Sequence, residues 1–219
     1  QSTLYFAWVE GENIIPEHSS KRIISINFAE IDNCRIFNFK GNYGRGALIL
    51  ENSKIMNDVN SIWIWSPTSD CYVEKNFFFN SCGINVQEDN PPNKIYIRNN
   101  VFYNQGIGYD GIYAVRSNVR DNDTVIVDHN SFLDTDRVDL RLGYDGNMTA
   151  INNFWNTTDT VIIDSMIYDR NDDSNCANII KYEPILTKPD PDTPPPVLTR
   201  AHDANYGAAQ EFFDDSTLE

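Results

Sequence analysis

The chain has 219 residues, enough for one domain with a tail, and 41% of them are hydrophobic, enough to bury a core. Its 17 lysines and arginines against 32 aspartates and glutamates give a net charge of −15. This balance argues against nucleic acid or an anionic membrane as a partner, because phosphate binding needs clustered cations. No apolar run approaches the ~20 residues of a membrane span, so we expect no membrane insertion.

Residues 1–22 contain one strand pattern, Leu4 to Val9, followed by polar turn residues and Pro16. The chain begins without methionine or an apolar leader, which favours a mature or trimmed end. A solenoid must end in a segment that covers its open core. We therefore predict that residues 1–22 are either an N-terminal cap or the cut end of a longer solenoid.

From residue 23 onward a short pattern repeats: an alternating apolar run, an asparagine, and an apolar or aromatic residue two or three places later. Aligning the copies on the asparagine gives steps of 19, 24, 24, 30 and 23 residues. The aligned asparagines are Asn33, Asn52, Asn76, Asn100, Asn130 and Asn153. An irregular period of this size is typical of a solenoid whose turns carry loops of different length.

The pattern inside each copy indicates strands and not helices. Ile95 and Ile97, or Val125 and Val127, alternate with polar residues at period two. We therefore predict an all-β parallel β-helix of about six coils over residues 23–187. Asparagine tolerates left-handed backbone, and its amide can bond the equivalent amide one coil away. These asparagines are thus predicted to form a structural ladder that binds nothing.

The run SIWIW at residues 61–65 places Ile62 and Ile64 on one face of a strand and Trp63 and Trp65 on the other. If the isoleucines point inward, two tryptophans lie side by side on a rigid sheet, which suits stacking against a sugar ring. The alternative is that one or both tryptophans lie under a neighbouring loop.

A glycine-rich corner recurs as GNYG at residues 41–44 and as GYDG at 108–111 and 143–146. These motifs present Tyr43, Tyr109 with Asp110, and Tyr144 with Asp145. A tyrosine beside a carboxylate offers a stacking face next to oxygen acceptors, so these residues are candidate sugar contacts. GYDG is equally competent as a plain tight turn.

The longest step, 30 residues, reads as an excursion from the coil. Arg98, Arg116 and His129 are the catalytic candidates if the chain is a lyase, provided that they converge on one face with Asp110 or Asp128. Arg137, Asp139 and Arg141 also alternate, which predicts a solvated strand face.

Four cysteines, Cys34, Cys71, Cys82 and Cys176, are spaced too widely for a zinc motif of the CxxC kind. They could pair as disulfides in three ways in a secreted protein, or be buried thiols.

From Asn152 the pattern changes. Thr158 or Asp159 can cap a short helix, which we predict to cover the last coil. A following turn carries oxygen ligands at alternating spacing, which makes calcium a candidate cofactor, although turn capping explains the same residues. These residues are Asp169, Asn171, Asp172 and Asp173. Residues 188–219 read as a proline-rich spacer and tail, which suggests neighbouring domains of a larger chain.

The run from Asn152 to Pro189 resembles the terminal coil of right-handed parallel β-helix proteins of the pectin-lyase-like group, especially large secreted or surface-attached microbial proteins. The matching residues are Asn152, Asn153, Phe154, Trp155, Thr157, Thr158, Asp159, Ile167, Tyr168, Asp169, Asn171, Asp172, Asp173, Tyr182, Glu183, Pro184 and Leu186. Asn156 departs from the glycine usual at its position. The resemblance implies a right-handed β-helix and an extracellular or cell-surface location, but no particular activity.

The catalytic boxes of pectate lyases and polygalacturonases are not found in the sequence. The favoured hypothesis is therefore a non-catalytic extracellular module that binds polysaccharide or spaces other domains. The alternative is a polysaccharide lyase or glycoside hydrolase of the same group.

Overall fold

The computed structural model describes residues 22–28, 30–32, 37–40, 46–57, 61–65, 67, 69–87, 93–105, 113–120 and 124–194. Within these residues the chain forms short strands that return to the same three sheets in turn. Each strand pairs in parallel with the equivalent strand of the next coil. The predicted all-β parallel solenoid is confirmed.

Three sheets run along the solenoid, and their strands are as follows. The first sheet contains β1 (Arg22–Asn27), β4 (Gly46–Glu51), β7 (Cys71–Glu74), β10 (Ile95–Arg98) and β13 (Val125–Asp128). The second contains β2 (Glu30–Asp32), β5 (Lys54–Met56), β8 (Phe77–Phe79), β11 (Val101–Tyr103) and β14 (Ser131–Phe132). The third contains β3 (Phe37–Lys40), β6 (Ile62–Trp65), β9 (Ile84–Gln87), β12 (Val115–Ser117), β15 (Leu140–Leu142) and β16 (Ile167–Tyr168).

The number of coils is slightly smaller than the sequence predicts. The first sheet has five strands, so the chain makes four complete turns between β1 and β13. The copy around Asn153 continues the solenoid through isolated bridges, such as that between Ser131 and Phe154, and not through a full triplet of strands. Counting asparagines therefore overestimates the regular coils.

A ladder of buried asparagines joins the first and second sheets. Asn76, Asn100, Asn130 and Asn153 are each fully buried. The Oδ1 of Asn100 accepts hydrogen bonds from both the backbone N–H and the Nδ2 of Asn76, each at 3.0 Å. Asn130 and Asn153 repeat this pattern one and two coils further on. Every side-chain hydrogen-bonding group of Asn100 and Asn130 is therefore satisfied without water.

The ladder assignment of Asn52 needs correction. Ser53, one residue later, occupies the ladder position, and its backbone N–H donates to Asn76 Oδ1 at 3.0 Å. Asn52 has a φ of 48° and bonds the exposed amide of Asn27. The positions before the other ladder asparagines also have positive φ, as in Asn99 and Asn152. Asparagine suits both positions, so alignment by residue type cannot separate them. Asn33 lies outside the described residues.

The interior of the coil is filled by a stack of aromatic rings. Phe78, Phe102, Phe132 and Trp155 come from successive coils and are all nearly or fully buried. Their ring centroids follow one another at 4.8, 5.3 and 4.7 Å. Around them lie the inward residues of the first and third sheets, such as Ile97 and Leu140. One continuous core therefore holds the three sheets in register.

The predicted short helix is present as α1 (Thr160–Ser165). Asp159 is its N-cap, and its carboxylate accepts a hydrogen bond from the N–H of Val161 at 2.9 Å. Ile163 and Met166 join the core, and Tyr182 and Ile185 pack against that core from the segment that follows. Neither α1 nor any other part of the described chain forms a helix long and apolar enough to cross a membrane.

Residues 1–21 and 195–219 lie outside the described residues, so the N-terminal segment and most of the C-terminal tail stay at the level of prediction. Asp190 and Thr193, near the end of the described residues, contact the solenoid. Asn99 Nδ2 donates to Asp190 Oδ1 at 3.0 Å, and the Thr193 hydroxyl donates to the carbonyl of His129 at 3.2 Å. The start of the proline-rich segment thus lies against the first sheet.

Candidate functional site

The outer side of the third sheet brings together side chains from across the sequence. Parallel pairing puts Trp63 opposite Asn85, Asn85 opposite Arg116, Arg116 opposite Arg141, and Arg141 opposite Tyr168. We call this row, together with the neighbouring Trp65 and Gln87, the third-sheet face. Strands lie ~4.8 Å apart, so the row from Trp63 to Tyr168 spans about 19 Å. Within the row Asn85 is only 1% exposed, whereas its other members are partly exposed.

The two tryptophans lie at one end of this face. Ile62 and Ile64 are buried, so strand alternation turns Trp63 and Trp65 outward, where both are partly exposed. Their ring centroids are 6.3 Å apart, and the planes are tilted by 54°. Both rings are thus held on a rigid strand, with part of their surface accessible to a flat apolar partner.

The other end of the face carries two arginines and a tyrosine. The Arg141 guanidinium lies over the Tyr168 ring, 4.6 Å from its centroid. The Tyr168 hydroxyl donates to Asp173 Oδ2 at 3.2 Å, and desolvation together with this bond raises the pKa of Tyr168. Among the described residues, neither Arg116 nor Arg141 forms an ion pair with a carboxylate.

The tyrosines of the glycine-rich corners are only partly described. Tyr144 is 69% exposed at the tip of a tight turn, in which the N–H of Gly146 donates to the carbonyl of Gly143. Asp145 forms an exposed ion pair with Arg120 at 2.8 Å. Tyr144 follows β15, three strands along the sheet from the tryptophans. Tyr43, Tyr109 and Asp110 lie outside the described residues, so their role as sugar contacts stays a prediction.

The three lyase candidates do not converge on one face. Arg98 and His129 lie with Asp128 on the outer side of the first sheet, where Arg98 Nε is 2.8 Å from Asp128 Oδ1 and His129 Nδ1 is 3.6 Å from Oδ2. Arg116 lies on the third-sheet face. The three residues therefore do not converge on one face, as a shared catalytic site would require. The reason is that the first and third sheets of a coil face in different directions.

The first sheet nevertheless has a charged outer row. Glu51, Glu74, Arg98 and Asp128 follow one another in register. Desolvation raises the pKa of Glu74, and the nearby Arg98 opposes this shift. Beside this row, the rings of Tyr72 and Tyr96 are stacked at 5.2 Å. Arg98 is engaged with Asp128 and lies over Tyr96, which makes it a poor proton acceptor.

One carboxylate is buried although the sequence predicts that it is exposed to solvent. Asp139 is 1% exposed and precedes β15 instead of alternating within it. Its two oxygens have no hydrogen-bond donor among the described residues. Burial, followed by the nearby Asp134, raises the pKa of Asp139 well above its usual range. The alternation of Arg137, Asp139 and Arg141 is therefore not a simple solvated face.

The acidic turn after β16 is stabilised mainly by hydrogen bonds among its own residues. Asp169 accepts hydrogen bonds from the N–H groups of Asn171 and Ile180, each at 2.8 Å. Asp172 accepts from the N–H of Asp169, and Asp173 accepts from Asn175. Within the described part of the chain, no three side chains among His, Cys, Asp and Glu are grouped to hold a metal ion. These contacts match the turn-capping reading of the sequence.

Three of the four cysteines fall in the described part of the chain. Cys71, Cys82 and Cys176 are buried as thiols. Cys34 lies outside the described residues. Burial raises the pKa of the Cys176 thiol, and the surrounding carboxylates add to this shift.

Sequence reasoning missed four of the seven residues of the third-sheet face. Asn85, Gln87, Arg141 and Tyr168 were not candidates, because nothing in their local sequence distinguishes them from other outward strand residues. The signal that could have found them is the register of the coils, which aligns them with Trp63. No family model, curated protein or solved structure matches this chain. The geometry of the face therefore carries the functional argument.

Proposed function

We propose that this chain is a non-catalytic β-helix module that binds an extended polysaccharide along the third-sheet face. The observation that carries the proposal is the partly exposed pair of Trp63 and Trp65, held side by side on a rigid strand, with the partly exposed Gln87, Arg116 and Arg141 further along the same sheet. Sugar rings have apolar faces that stack on aromatic rings, and their hydroxyls bond amides and guanidinium groups.

The shape of the face favours a polymer over a small sugar. The third sheet has six strands, so its outer side extends for about 24 Å along the solenoid axis. Each coil adds one strand to this sheet, and partly exposed side chains lie on β6, β9, β12, β15 and β16. An extended glycan chain could contact several coils at once, and each contact would add to the affinity.

The proposal also includes the type of β-helix and the location of the protein. We infer a right-handed β-helix of the pectin-lyase-like type, exported as part of a larger microbial surface or secreted protein. The terminal motif from Asn152 to Pro189 and the proline-rich stretch after Thr187 support this inference. The acidic composition is compatible with a soluble extracellular module.

A glycan array probed with the intact chain tests the proposal, followed by assays for reducing ends and unsaturated products on every hit. We expect binding to at least one linear polysaccharide with no product released. Product release would instead support the lyase or hydrolase alternative. Absence of binding to any glycan would reduce the module to a structural spacer.

A further inference from the structure

The arginines of the third-sheet face differ from the other arginines whose side chains the structure describes. Arg98 pairs with Asp128, Arg120 with Asp145, and Arg137 with Asp134 and Asp136. Arg170 is exposed to water. Arg116 and Arg141 are partly buried, and among the described residues neither has a carboxylate at ion-pair distance. This is unusual in a chain with 32 acidic residues.

The two arginines are also neighbours across the sheet. Arg116 and Arg141 are register partners on β12 and β15, so their Cα atoms lie about one strand spacing, ~4.8 Å, apart. Like charges directly opposite each other on a sheet destabilise it. Fold stability alone therefore gives no reason for this pair, whereas an anion bound between the two would relieve the repulsion.

The contacts of each arginine also favour an anion-binding role. The buried Nε of Arg116 has no hydrogen-bond acceptor among the described residues, although a buried cation is ordinarily compensated by one. Arg141 is fixed by stacking on Tyr168. Arg141 helps to lower the pKa of Asp173, but the two form no ion pair, and the Asp173 oxygens already accept from Asn175 and Tyr168. Stacking leaves the in-plane N–H groups of a guanidinium able to form a fork with an oxyanion.

We infer that Arg116 and Arg141 form an anion subsite, so that the polysaccharide bound by the third-sheet face carries carboxylate or sulfate groups. This inference rests on the proposed function. It assigns two ends to the face: Trp63 and Trp65 stack against sugar rings, and the arginine pair, about 10 to 14 Å further along the sheet, binds an acidic substituent. The net charge of −15 disfavours anions in general, so recognition depends on this local pair.

Titrations with two matched probe pairs test the inference: dextran sulfate against dextran, and polygalacturonate against its methyl ester. We expect at least one anionic probe to bind at least ~10-fold more tightly than its neutral partner, since a hydrogen bond between charged groups accounts for about one to two powers of ten in affinity. The pair that shows the preference tells sulfate from carboxylate. Lack of binding to both anionic probes would overturn the inference, even if neutral glycans bind.

Substitution of single arginines tests whether this pair binds the anionic probe. Arg116→Gln and Arg141→Gln should each weaken binding of the anionic probe by ~10-fold or more and leave a neutral glycan unaffected. Arg120→Gln is the matched control, because it makes the same charge change at an exposed ion pair and should alter affinity by less than about twofold. Thermal unfolding of each variant checks that the fold is retained.

A fourth variant separates failure of this inference from failure of the proposed function. If Trp63→Ala abolishes binding while both glutamine variants bind the anionic probe like the parent chain, the anion subsite is wrong and the binding face stands. If none of the three substitutions changes the affinity for any glycan, both are wrong. Arg116→Lys and Arg141→Lys should restore part of the affinity, with stronger dependence on salt, because lysine keeps the charge but lacks the fork.

Discussion

The side chain of Asn100 shows how a buried polar group can stabilise this fold. Its Oδ1 accepts two hydrogen bonds from Asn76, and its Nδ2 donates to the carbonyl of Val73 and to Asn130 Oδ1. The residue is fully buried, so water could replace none of these bonds. The ladder therefore fixes the spacing of the coils at one corner.

Asn100→Ala should lower the free energy of unfolding by about 3 kcal/mol or more, because it leaves buried donors of Asn76 and the carbonyl of Val73 unsatisfied. Chemical denaturation measures the change. Asn52→Gly is the matched control: Asn52 bonds an exposed amide and has a positive φ that glycine adopts freely, so we expect a change below about 1 kcal/mol. Equal losses in both variants would contradict the corrected ladder.

Asp139 gives a second residue-level prediction, on pH. Its folded-state pKa is raised, so the folded chain binds its proton more tightly than the unfolded chain. The resulting stabilisation is fully present below the ordinary aspartate pKa of ~3.9 and is lost as the pH rises through the folded-state value. Asp139→Asn removes this loss, so its stability relative to the parent chain should increase with pH.

Unfolding curves of both proteins between acidic and neutral pH test this prediction. Asp164→Asn serves as the control, since Asp164 is an exposed aspartate on α1 and is not among the groups that shift the pKa of Asp139. A stability difference between the Asp139 variant and the parent chain that does not depend on pH would show that the buried carboxyl does not titrate as argued.

At the scale of elements, the corner between β8 and β9 depends on a glycine. Gly83 has a φ of 69°, and a Cβ there would collide with the backbone carbonyls of Ala114 and Tyr113 in the next coil. The carbonyl of Gly83 accepts from the N–H of Ile62 in the preceding coil at 2.9 Å. The left-handed backbone and the close approach both exclude a side chain.

Gly83→Ala should destabilise the solenoid by at least about 2 kcal/mol, because the obstructing carbonyl of Ala114 accepts from the N–H of Ile84 and cannot move away without breaking that bond. Gly143→Ala is the comparison, since the atoms met by its Cβ belong to the Asn118 side chain, which can rotate away. We expect a smaller loss there, measured by thermal unfolding. A loss at Gly143 that matches or exceeds that at Gly83 would contradict the assigned cause.

The strands and the core can be predicted from local sequence, whereas the composition of the third-sheet face cannot. Alternation at Ile62 to Trp65 and at Ile95 to Arg98 predicts which residues point inward, because a strand has only two sides. Asp139 was misplaced because β15 begins only at Leu140, so the first three residues of the alternating run, 137–139, precede the strand. Arg141 and Tyr168 join Trp63 only through coil register, which depends on loops of unequal length.

At the scale of the whole molecule, the repeated coil converts a one-dimensional pattern into surfaces that run along its axis. The ladder and the aromatic stack hold the coils in register, and the third sheet then presents six strands on one side. A rigid surface costs little ordering when a ligand binds. This preorganisation is the physical reason for proposing a binding module on this fold.

The most direct test of that proposal is a calorimetric titration of an array-selected polysaccharide into the parent chain, Trp63→Ala and Tyr72→Ala. Tyr72 is the control, because it is a partly exposed aromatic residue on the outer side of the first sheet. We predict that Trp63→Ala weakens binding about tenfold or more and that Tyr72→Ala leaves it unchanged. Unchanged affinity in Trp63→Ala, or a larger loss in Tyr72→Ala, would contradict the assignment of the binding site to the third-sheet face.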